Sequence, residues 1–326
     1  MKIGLLLARI HANEIVEIAK KAENSRLDSV WIPEMNTRDS ITLLSGIATS
    51  TSRIRLATCI MNVYSRPPVL AAMTYGSLDE LSNGRVVAGI GIGNSEYVTD
   101  MYSMKFQNGF ARLQEYLEIL RLAFKEESFS YRSNHFPINN WGLGYSPRRT
   151  RMPIFVGAHN DNVLSFAGQK ADGCILNAVS IEDVRHAQQV VSSAAKSEGR
   201  NPSSIEMASV MLTSLNEDHQ TARQNARRLM AFYISRSWVR KRLARSPFAE
   251  EATSLYQVLR EKGLKGVSEE ISDEMTETLG ITGTPEVLNE RLKEYEQAGL
   301  DTVILYLAPD ERSAIDRVDS VIRALH

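Results

Sequence analysis

What most constrains this chain is an alternation. Short apolar runs are each followed by a stretch with helical spacing, and the pair recurs from one end of the sequence to the other. The clearest unit lies between residues 54 and 94. Ile54-Arg55-Leu56-Ala57-Thr58-Cys59-Ile60-Met61 is short, apolar and bounded by turn residues, as a strand buried on both faces should be. Pro67 and Pro68 suit a turn and the first turn of a helix, where a missing N–H costs nothing. Asn83-Gly84 stops that helix, because glycine enters the left-handed conformation that ends it. Val86-Val87-Ala88-Gly89-Ile90 follows as a second strand. Two buried strands joined by a helix predict a right-handed crossover, and the second strand ends in glycines where a ligand could approach the backbone.

Strand-like runs recur at residues 2–8, 28–33, 54–61, 85–90, 154–156, 173–177, 205–212 and 302–307, with helical spacing between and after them. Eight strands in βα alternation predict the α/β class and a closed (β/α)8 TIM barrel. Two stretches break the pattern and read as insertions, after the fourth and the seventh strand. The first, about 97–151, holds a small hairpin around Arg132-Ser133-Asn134 and a loop rich in Asn, Gly, Pro and Arg. The second, about 241–280, holds several short helical segments and an acidic run. Residues 218–240 before it read as one long helix, with Arg240-Lys241-Arg242 and Arg245 as a basic cluster near its end. With no internal repeat and no low-complexity linker, residues 1–326 read as a single domain.

Composition enters only to exclude. At 43% hydrophobic and 24% charged residues the chain can bury a sizeable core. A formal net charge of -1 offers no global basic field, so no nucleic acid is expected. No apolar run reaches membrane length, so no membrane association is expected either. The two cysteines, Cys59 and Cys174, sit in apolar strand-like runs outside any metal spacing. No metal site and no disulfide are therefore expected, and a reduced, cytoplasmic location is the default.

In a barrel of this kind the working residues lie at the carboxyl ends of the strands. That rule nominates residues 34–36, 59–66, 91–94 and 157–160, together with Asn177. Gly89-Ile90-Gly91-Ile92-Gly93 lacks the spacing of a dinucleotide fingerprint. Gly157-Ala158-His159-Asn160 leads into a helix, whose free N–H groups suit a phosphate.

The same residues carry a resemblance. Thr58-Cys59-Ile60, Arg66 with Pro68, Ser77-Leu78-Asp79-Glu80-Leu81-Ser82-Asn83-Gly84-Arg85 and Gly89-Ile90-Gly91-Ile92-Gly93 resemble the bacterial luciferase-like superfamily. Within it they are most similar to the branch of methylenetetrahydromethanopterin reductase and the deazaflavin (coenzyme F420) dehydrogenases. Matches recur at Pro153-Ile154-Phe155-Val156-Gly157-Ala158, Ala171-Asp172-Gly173, Gly283-Thr284-Pro285-Glu286 and Ala298-Gly299-Leu300-Asp301. The resemblance implies coenzyme F420 in the barrel mouth, with FMN as the alternative. It implies a non-prolyl cis peptide at Cys59-Ile60 against the middle ring; the bland reading is a strand end with a thiol as filler. Cofactor contacts are expected from Cys59, Ile60, Met61, Asn62, Gly91, Gly93, Asn94, Gly157, Ala158, His159, Asn160 and Asn177. A homodimer is also expected.

Departures from the pattern fall on the acid-base groups. The reductases place an acid near the end of the first strand, where this chain has Leu6 or Leu7. The dehydrogenases place an Asp-His pair after the second strand, where Glu34-Met35 stands, and relatives often carry a glutamate where Asn94 stands. Glu34 and Tyr64 are the candidate catalytic groups. Glu34 reads equally as a helix-start carboxylate or a partner for Arg38. Arg66 is a candidate substrate contact or a tie between loops. The basic cluster reads as a solvated helix end, or alternatively as a contact for the polyglutamate tail of coenzyme F420. The expected function is hydride transfer between reduced coenzyme F420 and a small organic substrate. One alternative is an FMN-dependent monooxygenase using oxygen, supplied with reduced flavin by a separate reductase. Another is a flavin-binding barrel without turnover.

Overall fold

Closure decides this architecture. The computed structural model describes residues 1–325. The first half runs β1 (Lys2–Leu6), α1 (Ala12–Glu23), β2 (Ser29–Ile32), α2 (Ser40–Ser50), β3 (Arg55–Thr58), β4 (Met61–Asn62), α3 (Pro68–Leu81), β5 (Val86–Gly91), α4 (Gly109–Lys125), β6 (Phe129–Tyr131) and β7 (Ile138–Trp141). There follow β8 (Ile154–Gly157), α5 (Asp161–Lys170), β9 (Gly173–Asn177), α6 (Ile181–Ser197), β10 (Glu206–Leu215), α7 (His219–Ile234), α8 (Ser237–Leu243), α9 (Ala249–Glu270) and α10 (Asp273–Thr278). The chain ends with β11 (Gly280–Gly283), α11 (Pro285–Ala298), β12 (Thr302–Leu307) and α12 (Ala314–Ala324). Strands β1, β2, β3, β5, β8, β9, β10 and β12 pair in parallel in that order. β12 returns to β1 through Lys2 opposite Thr302, which closes the (β/α)8 barrel.

Two apolar layers hold it. One lies between strands and helices, with Ile15, Ile18, Leu44, Ile47, Tyr75 and Leu120 fully buried. The other fills the barrel axis with Trp31, Ala57, Val87, Phe155, Ile175 and Ile304. Gly4 makes room for the largest of these, since a Cβ there would sit 2.6 Å from Trp31 Nε1. This inner layer does not stop at the strand ends. Leu229, Tyr233, Val239, Leu243 and Phe248, from the excursion between β10 and β11, belong to the same cluster. That excursion therefore packs on the barrel's own interior, above its mouth.

Several local expectations change. Residues 218–240 form two helices, because the chain turns at Ser235 and Arg236, where Arg240 Nη1 donates to the carbonyls of Ile234 and Ser235 at 3.0 and 2.7 Å. Residues 246–280 hold several helical segments, as expected: α9 is interrupted at Gly263, whose φ of +68° is not helical, and α10 follows it. β11 was not foreseen; it extends the sheet beside the end of β10, with Gly280 opposite Leu212. The hairpin's second strand lies later than expected, since Ser133 Oγ accepts from the N–H groups of His135 and Phe136 and holds them in the turn. The run 54–61 splits into β3 and β4, and the peptide joining Cys59 to Ile60 between them is cis.

The split strand explains the glycines of β5. A Cβ on Gly89 would lie 1.9 Å from the Thr58 carbonyl oxygen, one on Gly91 would lie 3.1 Å from Ile60 Cδ1, and one on Gly93 would lie 2.7 Å from Asn62 Cβ. Three alternate glycines thus receive three alternate residues of the neighbouring chain. Gly93 also needs its residue type for φ +78°. Gly89→Ala should lower stability by about 3 kcal/mol or more, because a backbone oxygen cannot yield, whereas Gly91→Ala meets a side-chain methyl and should cost about 1 kcal/mol. Denaturant melts of the two variants check the order.

Candidate functional site

The carboxyl ends of β1, β2, β3, β5, β8, β9, β10 and β12 converge on one mouth. Cys59 and Ile60 are half-buried on one side of it, and the Ile60 side chain fits between Gly91 and Gly157, 3.2 Å from the position a Cβ on Gly157 would take. The Cys59 thiol is pushed up to about 12 by burial, so it stays a neutral thiol. Met61 and Asn62 turn elsewhere. Met61 is fully buried with its sulfur 3.9 Å from the Tyr116 hydroxyl, and Asn62 Oδ1 accepts from the N–H groups of Tyr64 and Ser65 at 3.0 and 2.8 Å. Two other nominated asparagines do present free groups. Asn94 Nδ2 and Asn177 Oδ1 are buried with no hydrogen-bond partner.

The expected acid-base residues are engaged. Glu34 accepts a hydrogen bond from Ser40 Oγ and lies 3.6 Å from Arg66 Nη2, so its partner is Arg66 and not Arg38. Arg66 also pairs with Asp39 and thereby ties the loops after β2 and β4 together. Tyr64 donates its hydroxyl to the Gln107 carbonyl at 2.9 Å and packs beside Phe106, with the Arg112 guanidinium 5.2 Å from its ring. Its burial raises the phenol pKa further. It sits as a strut under the first insertion.

On the far side the nominated His159 is joined by residues that sequence reasoning missed. His159 stacks on Trp238 at 4.6 Å, Trp238 meets Tyr233 edge-on at 6.1 Å, and Tyr233 lies 6.2 Å from Tyr306. Arg242 reaches in from α8 to donate to the Asn177 carbonyl at 2.9 Å, while its Nε is buried without a partner. Part of the basic cluster is thus not a solvated helix end: Arg240 caps α7 and Arg242 enters the mouth. The only signal in the sequence was that basic cluster itself, because helical spacing does not say that the helix breaks and doubles back. Gly157 and Ala158 form the approach to α5, whose Asn160 side chain caps the Val163 N–H at 3.2 Å. The neighbouring Asp161 carboxylate is drawn aside by His186 Nε2 at 2.9 Å.

No group of three His, Cys, Asp or Glu side chains that could hold a metal occurs among the described residues. No helix among them is long and apolar enough to cross a membrane. A cavity of about 970 Å³ opens at the opposite, amino-terminal end of the barrel. Its charges are spent on one another, with Arg55 on Glu206 at 3.0 Å and Arg149 on Asp79. Among the described residues it is the strand ends at the mouth that carry unpaired polar groups beside an aromatic wall.

Fold and mouth together define a (β/α)8 barrel whose strand ends open between a glycine-lined wall and an aromatic wall. Residues 3–302 match the family described as luciferase-like monooxygenase, and the chain belongs to it. A 5,10-methylenetetrahydromethanopterin reductase of Archaeoglobus fulgidus is 27% identical over 331 residues, covering 99% of this chain and 98% of its own. The structure of the coenzyme F420 dependent tetrahydromethanopterin reductase from Methanopyrus kandleri superposes with a TM-score of 0.88 at 22% identity, covering 99% and 97% of the two chains. That of a monooxygenase from Streptomyces bottropensis superposes with a TM-score of 0.75 at 19% identity, covering 100% and 98%. At these identities the two structures speak for the fold.

The surroundings of His159 yield a measurable consequence. The residue is exposed at the mouth while protein packs around its ring, and desolvation, helped by the charge of Arg242, lowers its pKa toward about 4, a shift that its solvent contact reduces. An NMR titration should show the imidazole titrating below the 6.5 of a free imidazole, and Arg242→Gln should shift it upward. Because a free imidazole titrates near 6.5, the unfolded chain binds this proton first. The contribution of His159 to stability is therefore full above about pH 6.5 and is lost as pH falls toward 4.

Proposed function

We propose that this chain is an oxidoreductase that binds coenzyme F420 noncovalently in the barrel mouth and moves a hydride between it and a small organic substrate. The observation that carries this reading is a pair of buried amide atoms without a hydrogen-bond partner among the described residues, Asn94 Nδ2 just past the end of β5 and Asn177 Oδ1 at the end of β9. A buried donor and a buried acceptor without partners cost stability in an empty site and suit the polar edge of a heterocycle. Asn94, Asn177, Cys59 and Ile60 would hold the ring system, and the start of α5 with Arg242 would hold a phosphate or tail carboxylate. When bound, the reduced deazaflavin supplies a hydride.

The chain's own groups supply position and polarity. The neutral His159 imidazole can donate or accept one hydrogen bond without adding charge. The Cys59 thiol and the Tyr233 hydroxyl stay protonated, because burial raises both. Glu34 is held by Ser40 and Arg66, so it orients the loop after β4. The aromatic wall of Trp238, Tyr233 and Tyr306 excludes water from the mouth.

A second reading has an observation of its own. The carboxylate nominated at the mouth, Glu34, is engaged with Ser40 and Arg66. An FMN-dependent monooxygenase needs shielding from water more than a general acid, and the likeness to a monooxygenase fold accommodates it.

Titrating the purified chain with each cofactor separates the two. Saturable deazaflavin binding with substrate-dependent bleaching is expected, and Asn177→Ala should weaken that binding about tenfold, the worth of one hydrogen bond from a buried group. Oxygen consumption with reduced FMN selects the second reading. Failure to bind either cofactor removes both.

A further inference from the structure

Arg9, in the loop leaving β1, and Arg236, between α7 and α8, share one aromatic ring. Their guanidinium carbons lie 4.0 and 4.5 Å from the centroid of Phe232, and Arg236 is also 5.6 Å from that of Tyr97. The two cations are thus no more than about 8.5 Å apart, the sum of the two distances to that shared ring. Among the described residues neither has a carboxylate oxygen within 4.0 Å, and Arg236 Nε is buried without a partner. Nearby Glu96 is turned to the Ser237 N–H, which donates to Oε1 at 3.3 Å. Arg66, across the mouth, has both Asp39 and Glu34.

Two like charges held together without a counterion form an incomplete site. Cation–π contact seats each guanidinium against the ring, and a guanidinium can donate to a carboxylate in a forked pair. The Arg9 charge also reaches the Tyr306 hydroxyl near the end of β12. A second basic pole, Arg242 with Asn177 and His159, stands at the ends of β8 and β9, with Tyr233 and Tyr306 between the two. One mouth therefore offers two anion sites of different construction. The pole at β8 and β9 adjoins the start of α5 and suits the cofactor, which leaves the other for the second reactant.

We propose that Arg9 and Arg236, mounted on Phe232, recognise a carboxylate carried by the substrate, so that the substrate class is small apolar or aromatic carboxylates. This rests on the reading of the mouth as a substrate site given above. A tail carboxylate of the cofactor has the same chemistry, and the test separates the two sources.

The probe is 4-fluorobenzoate, with 4-fluorobenzamide as its neutral isostere, titrated into the full chain by fluorine NMR without cofactor. The acid should bind about tenfold more tightly than the amide, and Arg9→Gln and Arg236→Gln should each remove most of that advantage while leaving the amide unchanged. Arg9→Lys and Arg236→Lys should keep part of it, because charge survives and the fork does not. Thermal melts report folding, and Arg9→Gln, at an exposed residue, decides alone if Arg236→Gln unfolds. A chain without preference for the acid, or a preference that survives both glutamine variants, overturns the proposal. In a second arm each variant is titrated with coenzyme F420 and with FMN. Weakened coenzyme F420 binding with an unchanged acid-to-amide ratio assigns the pair to the cofactor tail and likewise overturns it. Failure to bind either cofactor refutes the proposed function while leaving the first arm intact.

Discussion

The barrel mouth depends on one steric fit, the seating of Thr58, Ile60 and Asn62 against Gly89, Gly91 and Gly93. Any side chain on the first glycine would run into backbone. Because the fit is residue against residue with period two, it aligns the turn at Cys59 and Ile60 with the end of β5 and holds it there. Thr58 Oγ1 adds a hydrogen bond to the Gly89 carbonyl at 2.7 Å and contacts the Tyr75 hydroxyl at 2.8 Å, which anchors the same strand to α3. A cleft wall is thereby built almost without polar side chains.

The opposite wall has another origin. It is made by α7 and α8, which return from β10 to pack on the apolar layer inside the barrel. The break at Ser235 and Arg236 lets Trp238 stack on His159 and Arg242 reach Asn177. The two excursions also touch each other, through Ser237 on Glu96 and Arg236 over Tyr97. The aromatic wall and the glycine wall are thus built independently, one by a long-range excursion and one by adjacent strands.

Charge is distributed unevenly between them. The acids near the mouth are neutralised, Glu34 and Asp39 by Arg66, whereas Arg9 and Arg236 are left without a carboxylate. At the far end of the barrel Arg55 pairs with Glu206 and Arg149 with Asp79, and Arg55, Lys2 and Thr302 outweigh burial to hold the Glu206 carboxyl at about 2. Arg55 and Glu206 tie β3 to β10 at that end, whereas Arg9 and Arg236 stand near the mouth with no carboxylate oxygen within 4.0 Å among the described residues.

Much of this was legible beforehand. Alternating apolar runs and helical spacing determine a closed α/β barrel, since buried parallel strands need a helix between each pair and eight of them close. The motif at 89–93 marked a close approach of backbone, but not what approached, because the residues that fill the glycine spaces lie some thirty positions earlier. Glu34 was visible as a carboxylate at a strand end, while its partner Arg66 was set by how two loops meet. Arg236 and Arg242 looked like helix surface, because periodicity assigns a face only if the helix continues, and this one breaks. The sequence by itself determined which strand ends gather at the mouth, through patterns that repeat every two or every three to four residues. Only the tertiary structure decided which charges there are paired, because ion pairs form between groups brought together by the return of distant segments, and no local period encodes that return.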